Sequence, residues 1–401
     1  MKYDLVFEGG GAKGIVFVGA LEELEQQPDY SFGRLLGTSA GAITATFVAA
    51  GLTANEMQAR MAETRNGRSI FANFLETPTR LEEAVLRTGV VSQLLSSATQ
   101  SILPQFMKSW LNERLIRQLA GQPSLRRLLF FAEYGGWFAA DNFLSWLREE
   151  LNRNQPKKYG DMTLAEFFAA TGVELSLAAA NVTGQKLLIL NHKTAPDLPL
   201  IWAVRMSMSV PFLWPEVVWQ AAWGPYRNRE AAGAVIVDGG LLSNFPLELF
   251  VSNDDRVTSV VGPKESDAVL GLLIDESLPV PGTELPEMRR PLDRISELRT
   301  VQRLASIVDT ATSARDKMVI EAFKHLVVRL PAQGYGTTEF DMTETRRNLL
   351  IAAGRQAMRI HLSAAPQAAP GVVPLAAPPL TAAEEAQLSA DEIALKILDE
   401  E

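Results

Sequence analysis

Gly37-Thr38-Ser39-Ala40-Gly41 is the stretch of sequence on which the expected fold depends. It matches the G-x-S-x-G nucleophile elbow, a sharp strand-to-helix turn that presents a serine hydroxyl above a sheet. Its two glycines are required because a Cβ atom at either position would clash with the returning chain. The apolar residues 32–36 predict a strand before the turn, and the alanine-rich residues 42–52 predict a buried helix after it. Ser39 is therefore the candidate nucleophile.

A second glycine-rich stretch, residues 8–14, also lies between a predicted strand and a predicted helix. Glycines at such a position let backbone N–H groups converge at a helix N-terminus, where they attract negative charge. One anion that fits is a dinucleotide pyrophosphate, because the loop satisfies G-x-G-x-x-G and Glu25 or Asp29 would bind the ribose. The other is the oxyanion of a tetrahedral acyl intermediate, bound by the N–H groups of Gly10 and Gly11.

A third block, Asp238-Gly239-Gly240, follows a predicted strand at residues 234–237, and Asn244-Phe245-Pro246 comes soon after it. Ligands of open α/β sheets bind just past the carboxyl ends of strands, so we expect Asp238 to reach the serine of the elbow. Between the elbow and this block, residues 203–215 contain two prolines. They predict a helix that ends against a loop lining the site.

Composition excludes several classes of protein. The 401 residues are 47% hydrophobic, which is enough for one large core or two ordinary ones. The net charge of −9 argues against nucleic acid as the main partner. The absence of cysteine excludes disulfides, thiolate catalysis and cysteine-bound metals. Residues 1–4 lead directly into a strand with no cleavable signal and no membrane-spanning run follows, so we expect a cytoplasmic protein, with export by a route without a cleavable signal left open.

The remaining pattern predicts one α/β domain with a helical insertion and a tail. Further elements are predicted as a helix at 164–171, strands at 174–181, 186–191 and 270–274, a largely helical stretch at 294–330 and a helix at 345–362. The domain is expected to span 1–362, with the insertion at about 55–154. Residues 363–380 contain five prolines and predict a linker, and the acidic residues 381–401 predict a flexible tail with some helical character.

The insertion contains a basic amphipathic segment. Between residues 104 and 127 apolar side chains recur at helical spacing, together with the cations Lys108, Arg114, Arg117, Arg126 and Arg127. The ordinary interpretation is a helix packed on the core with a solvated basic side. The alternative is a face that binds anionic lipid.

Four separated blocks, in this order, resemble those of the patatin-like phospholipases: residues 9–14, 37–41, 207–215, and 238–240 with 244–246. The resemblance covers roughly residues 3–362. It implies an α/β fold of three layers, with a mostly parallel central sheet flanked by helices. The motifs cover neither the helical insertion nor the tail.

The resemblance also implies roles for individual residues. Ser39 and Asp238 would form a catalytic dyad without histidine, in which the aspartate is the base. The oxyanion hole would lie in the loop of Gly9, Gly10 and Gly11. Lys13 stands where the family has Arg or Lys, as a contact for substrate or another anion. Gly37, Gly41, Gly239 and Gly240 would shape the site, and neither a metal nor another cofactor is implied.

Three other interpretations stay open at the level of sequence. An α/β-hydrolase triad would use Ser39, Asp238 and then His325 or His361. A nucleotide-binding or interaction protein would use the glycine loop for phosphate. A third protein would keep the fold but stay inactive until an activator orders the insertion.

The favoured prediction is a serine acyl hydrolase that acts on glycerophospholipids or related lipid esters at a membrane surface. A water-insoluble substrate predicts an exposed apolar patch beside the site, and the insertion is where we expect it. An uncontrolled cytosolic phospholipase would damage its own cell. We therefore expect control by a protein partner, a small-molecule activator or export, consistent with an effector or defence role.

Overall fold

The computed structural model describes residues 1–65, 68–75, 121–283, 316–364 and 382–399. The strands are β1 (Lys2–Phe7), β2 (Ser31–Thr38), β3 (Thr64–Arg65), β4 (Arg68–Ser69), β5 (Leu175–Asn181), β6 (Lys186–Leu190), β7 (Val217–Val218), β8 (Val235–Asp238), β9 (Ala268–Pro279) and β10 (Val327–Gln333). The α-helices are α1 (Val16–Glu25), α2 (Ala40–Ala49), α3 (Ala54–Met61), α4 (Pro123–Tyr134), α5 (Asp141–Asn152), α6 (Leu164–Thr171), α7 (Leu200–Ser207), α8 (Glu248–Val251), α9 (Asp255–Val261), α10 (Glu344–Ala364) and α11 (Ala382–Asp399).

A mostly parallel sheet forms the centre of the fold. Its order is β10-β9-β1-β2-β5-β8-β7, with β6 also paired to β5. The five strands from β10 to β5 are parallel, whereas β6 and β8 run antiparallel to β5. Alternate residues of β1 point to opposite faces, so Leu5 and Phe7 belong to one apolar core and Val6 to another. Helices cover both faces, which confirms the predicted three-layer α/β fold.

The backbones of α1 and α10 are in close contact on one face of the sheet. A Cβ atom at Gly19 would lie 1.8 Å from the carbonyl oxygen of Ile351, and one at Gly354 would lie 2.1 Å from that of Val16. The two glycines therefore set the distance between the helices. This packing encloses the first helix after the glycine loop.

Replacing Gly19 by alanine should push α1 and α10 apart. We expect a loss of unfolding free energy of about 1–3 kcal/mol, the usual cost of overpacking a core. Thermal or urea unfolding followed by circular dichroism measures it. Gly336→Ala is the matched control, because a Cβ atom there would have its nearest neighbour at an ordinary 3.5 Å. Equal stability of the two variants would contradict the packing described.

Two predictions about the C-terminal third differ from the structure. Of the stretch 294–330, the part up to residue 315 lies outside the described residues and 316–322 is helical, but β10 begins at Val327. Burial alternates along β10, and this short period-two pattern was masked by the helical residues before it.

The tail has the helical character predicted for it, but it is not a free extension, since residues 382–399 form α11, which packs on α8 and α9. The linker residues up to 381 lie outside the described part of the chain. Ala390, Ala394 and Ile397 of α11 are buried, a helical spacing that the acidic composition obscured. The Gln387 side chain donates a hydrogen bond to the Val251 carbonyl (3.0 Å). The tail is thus part of the second core.

Candidate active site

The predicted elbow is present between β2 and α2. Ser39 has φ 54° and ψ −118°, a strained conformation for a residue other than glycine. The turn is tight, because a Cβ atom at Gly37 would lie 2.3 Å from the Gly41 carbonyl oxygen and one at Gly41 would lie 2.3 Å from that of Phe7. The Ser39 N–H donates to the Ser207 hydroxyl (3.0 Å). The elbow thus holds the serine rigidly at the end of β2.

Ser39 and Asp238 converge because two strands meet end to end along β5. The register pairs Thr38 of β2 with Ala178, and Asp238 of β8 with Ala179. β6 pairs with both of these β5 residues, so it occupies the opposite edge. β2 and β8 therefore share one edge and approach each other with their carboxyl ends. The predicted proximity follows, but the reason differs from the one expected, since β8 is antiparallel to β2.

Asp238, the predicted base, is buried. Its Oδ1 accepts a hydrogen bond from the Gly240 N–H (2.8 Å), and its own N–H donates to the Ser209 carbonyl (3.0 Å). Burial raises the pKa of its carboxyl group to about 6, and the Ser39 hydroxyl and the Gly240 N–H oppose this rise. The second oxygen, Oδ2, is also buried, and no described residue donates a well-formed hydrogen bond to it. A proton acceptor therefore stands beside the serine.

The glycine loop lies against Ser39. A Cβ atom at Gly9 would lie 3.2 Å from Cβ of Ser39. The Gly9 N–H donates to the Asn244 carbonyl (3.1 Å), so this member of the predicted oxyanion hole has its donor already engaged. The N–H groups of Gly10 and Gly11 donate to no acceptor in the described part of the chain. Of the three glycines predicted to form the oxyanion hole, Gly10 and Gly11 are therefore the two whose N–H groups remain available in the described part of the chain.

Lys13, Gly239 and Gly240, the other residues predicted at the site, all make close contacts with neighbouring groups. Lys13 is buried and its ammonium group pairs with the carboxylate of Glu276, so its predicted contact with an anion stays a prediction. Gly239 packs on β5, where a Cβ atom would lie 2.5 Å from the Ala178 carbonyl oxygen. Gly240 binds the aspartate through its N–H.

Neither rival chemistry finds support in the described residues. No hydrogen bond joins His325 or His361 to Ser39 or Asp238. The pKa of His361 is lowered, mainly by burial and to a smaller extent by the charge of His325. Glu25, a predicted ribose acid, instead accepts the Ala54 N–H (2.9 Å) at the start of α3. Among the described residues, no three histidine, aspartate or glutamate side chains form a group that could hold a metal ion.

Sequence reasoning did not predict the contacts that two serines make with Ser39 and Asp238. The Ser207 hydroxyl donates to the Ala178 carbonyl (2.6 Å) while it accepts the Ser39 N–H. Ser209 accepts the aspartate's N–H through its carbonyl. Both follow Arg205 at the end of α7, and the guanidinium group of Arg205 donates to the Pro215 carbonyl (2.8 Å). The signals for this segment were its predicted position along the site and its place among the four family-like blocks, and neither indicates these hydrogen bonds.

Comparison with known proteins identifies the family. The family model of patatin-like phospholipase matches residues 5–251, more than half of the chain. The chain belongs to the patatin-like phospholipase family. An uncharacterized protein of Bacillus subtilis strain 168, YqhO, is 26% identical over 370 residues, which cover 90% of this chain and 98% of that protein. A probable lipid hydrolase of invertebrate iridescent virus 6, 463L, is 24% identical over 140 residues, 34% of this chain and 41% of that protein.

Two of the solved structures with some likeness to this chain come from bacteria. VipD from Legionella pneumophila aligns with a TM-score of 0.43 at 16% identity, over 90% of this chain and 67% of that one. ExoU, in its heterodimeric complex with SpcU from the type III secretion system of Pseudomonas aeruginosa, aligns with a TM-score of 0.36 at 18% identity, over 91% and 52% of the respective chains. The family match confirms the predicted lipid hydrolase class. Among the described helices, none is both long and apolar enough to cross a bilayer.

Proposed function

We propose that this patatin-like phospholipase is a serine lipid acyl hydrolase of the phospholipase A or lysophospholipase type, working through an acyl-enzyme on Ser39. One observation carries the proposal: the end-to-end approach of β2 and β8 brings the strained serine beside a buried aspartate whose Oδ2 lacks a complete hydrogen bond. A weak nucleophile next to an unengaged base is the arrangement that acyl transfer requires.

The proposed reaction uses groups already placed around the serine. Asp238 is mostly ionised at neutral pH and accepts the Ser39 proton as Oγ attacks the ester carbonyl. The N–H groups of Gly10 and Gly11 stabilise the oxyanion of the tetrahedral intermediate. The intermediate then collapses, and the proton passes to the leaving alcohol. Water then gives a proton to the same aspartate as it attacks the acyl-enzyme. The acyl–Oγ bond breaks, the fatty acid leaves, and the aspartate returns the proton to Ser39 Oγ.

Product analysis tests this assignment. Vesicles of phosphatidylcholine and micelles of lysophosphatidylcholine are incubated with the protein in the presence of EDTA. We expect free fatty acid together with a lysophospholipid or glycerophosphocholine, because the acyl ester is cut and no metal takes part. Release of phosphocholine or choline, or strict dependence on calcium, would contradict the proposed reaction.

An apolar patch next in the chain to the segment that contacts Asp238, with Phe212 and Leu128 exposed, supports a lipid substrate. Phe212 lies three residues after Ser209, is 39% exposed and has the unusual φ of 68°. Its ring is 6.3 Å from that of Phe131 in α4, which stacks on Trp137 at 4.6 Å. Leu128, one turn earlier on α4, is 52% exposed. The patch agrees with the apolar surface expected from the insertion, although residues 76–120 with Lys108, Arg114 and Arg117 lie outside the described residues.

Replacing Phe212 by serine should weaken binding to a lipid surface without changing the hydrolysis step itself. We expect hydrolysis of phospholipid vesicles to fall about tenfold, since moving a phenylalanine out of contact with lipid costs about 1.5–3 kcal/mol. Hydrolysis of dissolved 4-nitrophenyl butyrate should change less than about threefold, because the strained backbone and the base are untouched. Ile360→Ser, at a 59% exposed position on α10, is the matched control. Equal losses on both substrates would remove the patch from this role.

Control of the activity stays a prediction. A protein partner, a small-molecule activator or export into another cell would each satisfy the need to restrain a lipid hydrolase. The described residues favour none of these over the others.

A further inference from the structure

Asn244 links the glycine loop to the turn that carries the base. Its carbonyl accepts the Gly9 N–H (3.1 Å), and its side-chain Nδ2 donates to the Gly9 carbonyl (2.9 Å). Its side-chain Oδ1 would lie only 2.2 Å from a Cβ atom at Gly9 and 2.8 Å from one at Gly240. The amide thus fills the space between the loop with the free N–H donors and the turn that binds Asp238.

Glu8 holds this amide from the side of the sheet. One oxygen of Glu8, Oε1, accepts from Asn244 Nδ2 (3.2 Å), and the other, Oε2, accepts the Ile274 N–H of β9 (2.6 Å). Surrounding protein raises the pKa of Glu8 to about 8, and the charge of Asp316 adds to this rise while these hydrogen bonds and Lys13 oppose it. Glu8 thus joins the Asn244 amide to the backbone of β9 through its two oxygens.

Asp316 holds the backbone of the same turn from the other side. Its Oδ2 accepts the N–H groups of Asn244 (2.9 Å) and Phe245 (3.2 Å), and its Oδ1 accepts the Ser243 hydroxyl (2.9 Å). Asp316 is 6% exposed, so these hydrogen bonds are shielded from water. Asn244 is therefore held at its backbone by the side chain of Asp316 and at its side-chain amide by that of Glu8.

We propose that Asn244, clamped between Glu8 and Asp316, is the positioning residue that sets the oxyanion donors over Ser39 by fixing Gly9. This inference rests on the proposed acyl transfer and deepens it. Asn244 acts through Gly9, while the N–H groups of Gly10 and Gly11 that follow in the chain meet the substrate. A displacement of about 1 Å at such donors costs on the order of a hundredfold in rate. Because the oxyanion forms only in the transition state, the loss should appear in kcat and not in KM.

An exchange of donor and acceptor tests the clamp. Asn244→Asp keeps the shape but replaces the Nδ2 donor by an oxygen that faces Glu8 Oε1 and the Gly9 carbonyl. We expect kcat for 4-nitrophenyl butyrate to fall about a hundredfold with KM within about threefold of the parent. Glu8→Gln turns one acceptor into a donor that faces the Asn244 amide, and kcat should fall about tenfold.

The double variant Glu8→Gln/Asn244→Asp restores a hydrogen bond in the reverse direction. It should regain about tenfold in kcat over Asn244→Asp alone, a coupling that a packing role would not produce. Asn154→Asp is the matched control, since it makes the same change at an exposed residue. Amide hydrogen exchange over residues 8–14 supplies a readout that needs no activity. Exchange there should be faster in Asn244→Asp than in the parent or the control.

Three results would overturn the clamp: a kcat for Asn244→Asp within threefold of the parent, a double variant no better than Asn244→Asp, or unchanged exchange over residues 8–14. The failure of the proposed function looks different. In that case the parent releases no acyl product or Ser39→Ala stays active, and the exchange measurement still decides whether Asn244 and Glu8 hold the loop.

Discussion

Ser39→Ala is expected to reduce fatty-acid release by at least about ten thousandfold, the scale seen when a serine nucleophile is removed. The Ser39 hydroxyl is the elbow group that lies beside the Asp238 carboxyl group, and alanine leaves nothing in its place that could form an acyl-enzyme. The substitution keeps the Cβ atom, so the strained turn and the hydrogen bond from its N–H to Ser207 should persist. Fatty-acid release from phospholipid vesicles, with circular dichroism to verify folding, measures the effect.

The control for this substitution is Ser31→Ala, the same change at the exposed first residue of β2. It should leave the rate within about twofold, because surface substitutions away from special features change little. If Ser39→Ala stays active, the elbow is only a turn and the proposed chemistry is wrong.

Asp238→Asn is expected to lower the rate at least about a thousandfold, because an amide cannot accept the serine proton. The parent enzyme should also show a pH dependence set by this residue. Its raised pKa places the gain of activity around pH 6, with the carboxylate active above that value and the acid inactive below it. The rate of hydrolysis of 4-nitrophenyl butyrate between pH 4.5 and 8 measures both effects.

Protonation of Asp238 also affects the stability of the fold, in the direction opposite to its effect on the rate. The folded state raises the pKa of Asp238 from 3.8 to about 6, so it holds the proton more tightly than the unfolded state does. The contribution of this group to the free energy of unfolding is therefore present below pH 3.8 and is lost as pH rises through about 6. Asp238→Asn should remove this contribution to the pH dependence. Asp255→Asn, at an exposed position in α9, is the control, and a parent rate that is flat from pH 5 to 8 would contradict the assignment of the base.

Local signals allowed the elbow, the glycine loop and the three-layer fold to be predicted. A strand, a glycine turn and an alanine-rich helix are contiguous in the chain, so the five residues 37–41 are enough to predict the turn at Ser39. The expectation that Asp238 reaches Ser39 was right, but the register along β5 that brings them together cannot be derived from strand ends alone.

Contacts between distant residues were beyond the reach of the sequence. The Asn244 side chain meets Gly9 across 235 positions, and Asp316 meets Asn244 across 72. No sequence motif indicates the role of Glu8, because that role depends on which groups the folded sheet places beside it. The strand β10 and the docking of α11 were missed for the related reason that short buried patterns stand beside stronger charged or helical ones.

The central claim is that Ser39 is acylated with Asp238 as its base, and labelling with an alkyl fluorophosphonate tests it most directly. Intact mass followed by peptide mapping measures the stoichiometry and the position of the adduct. We predict one adduct per chain on Ser39 in the parent, none in Ser39→Ala, and labelling slowed at least about a hundredfold in Asp238→Asn. Labelling at another residue, or equal rates in the parent and in Asp238→Asn, would contradict it.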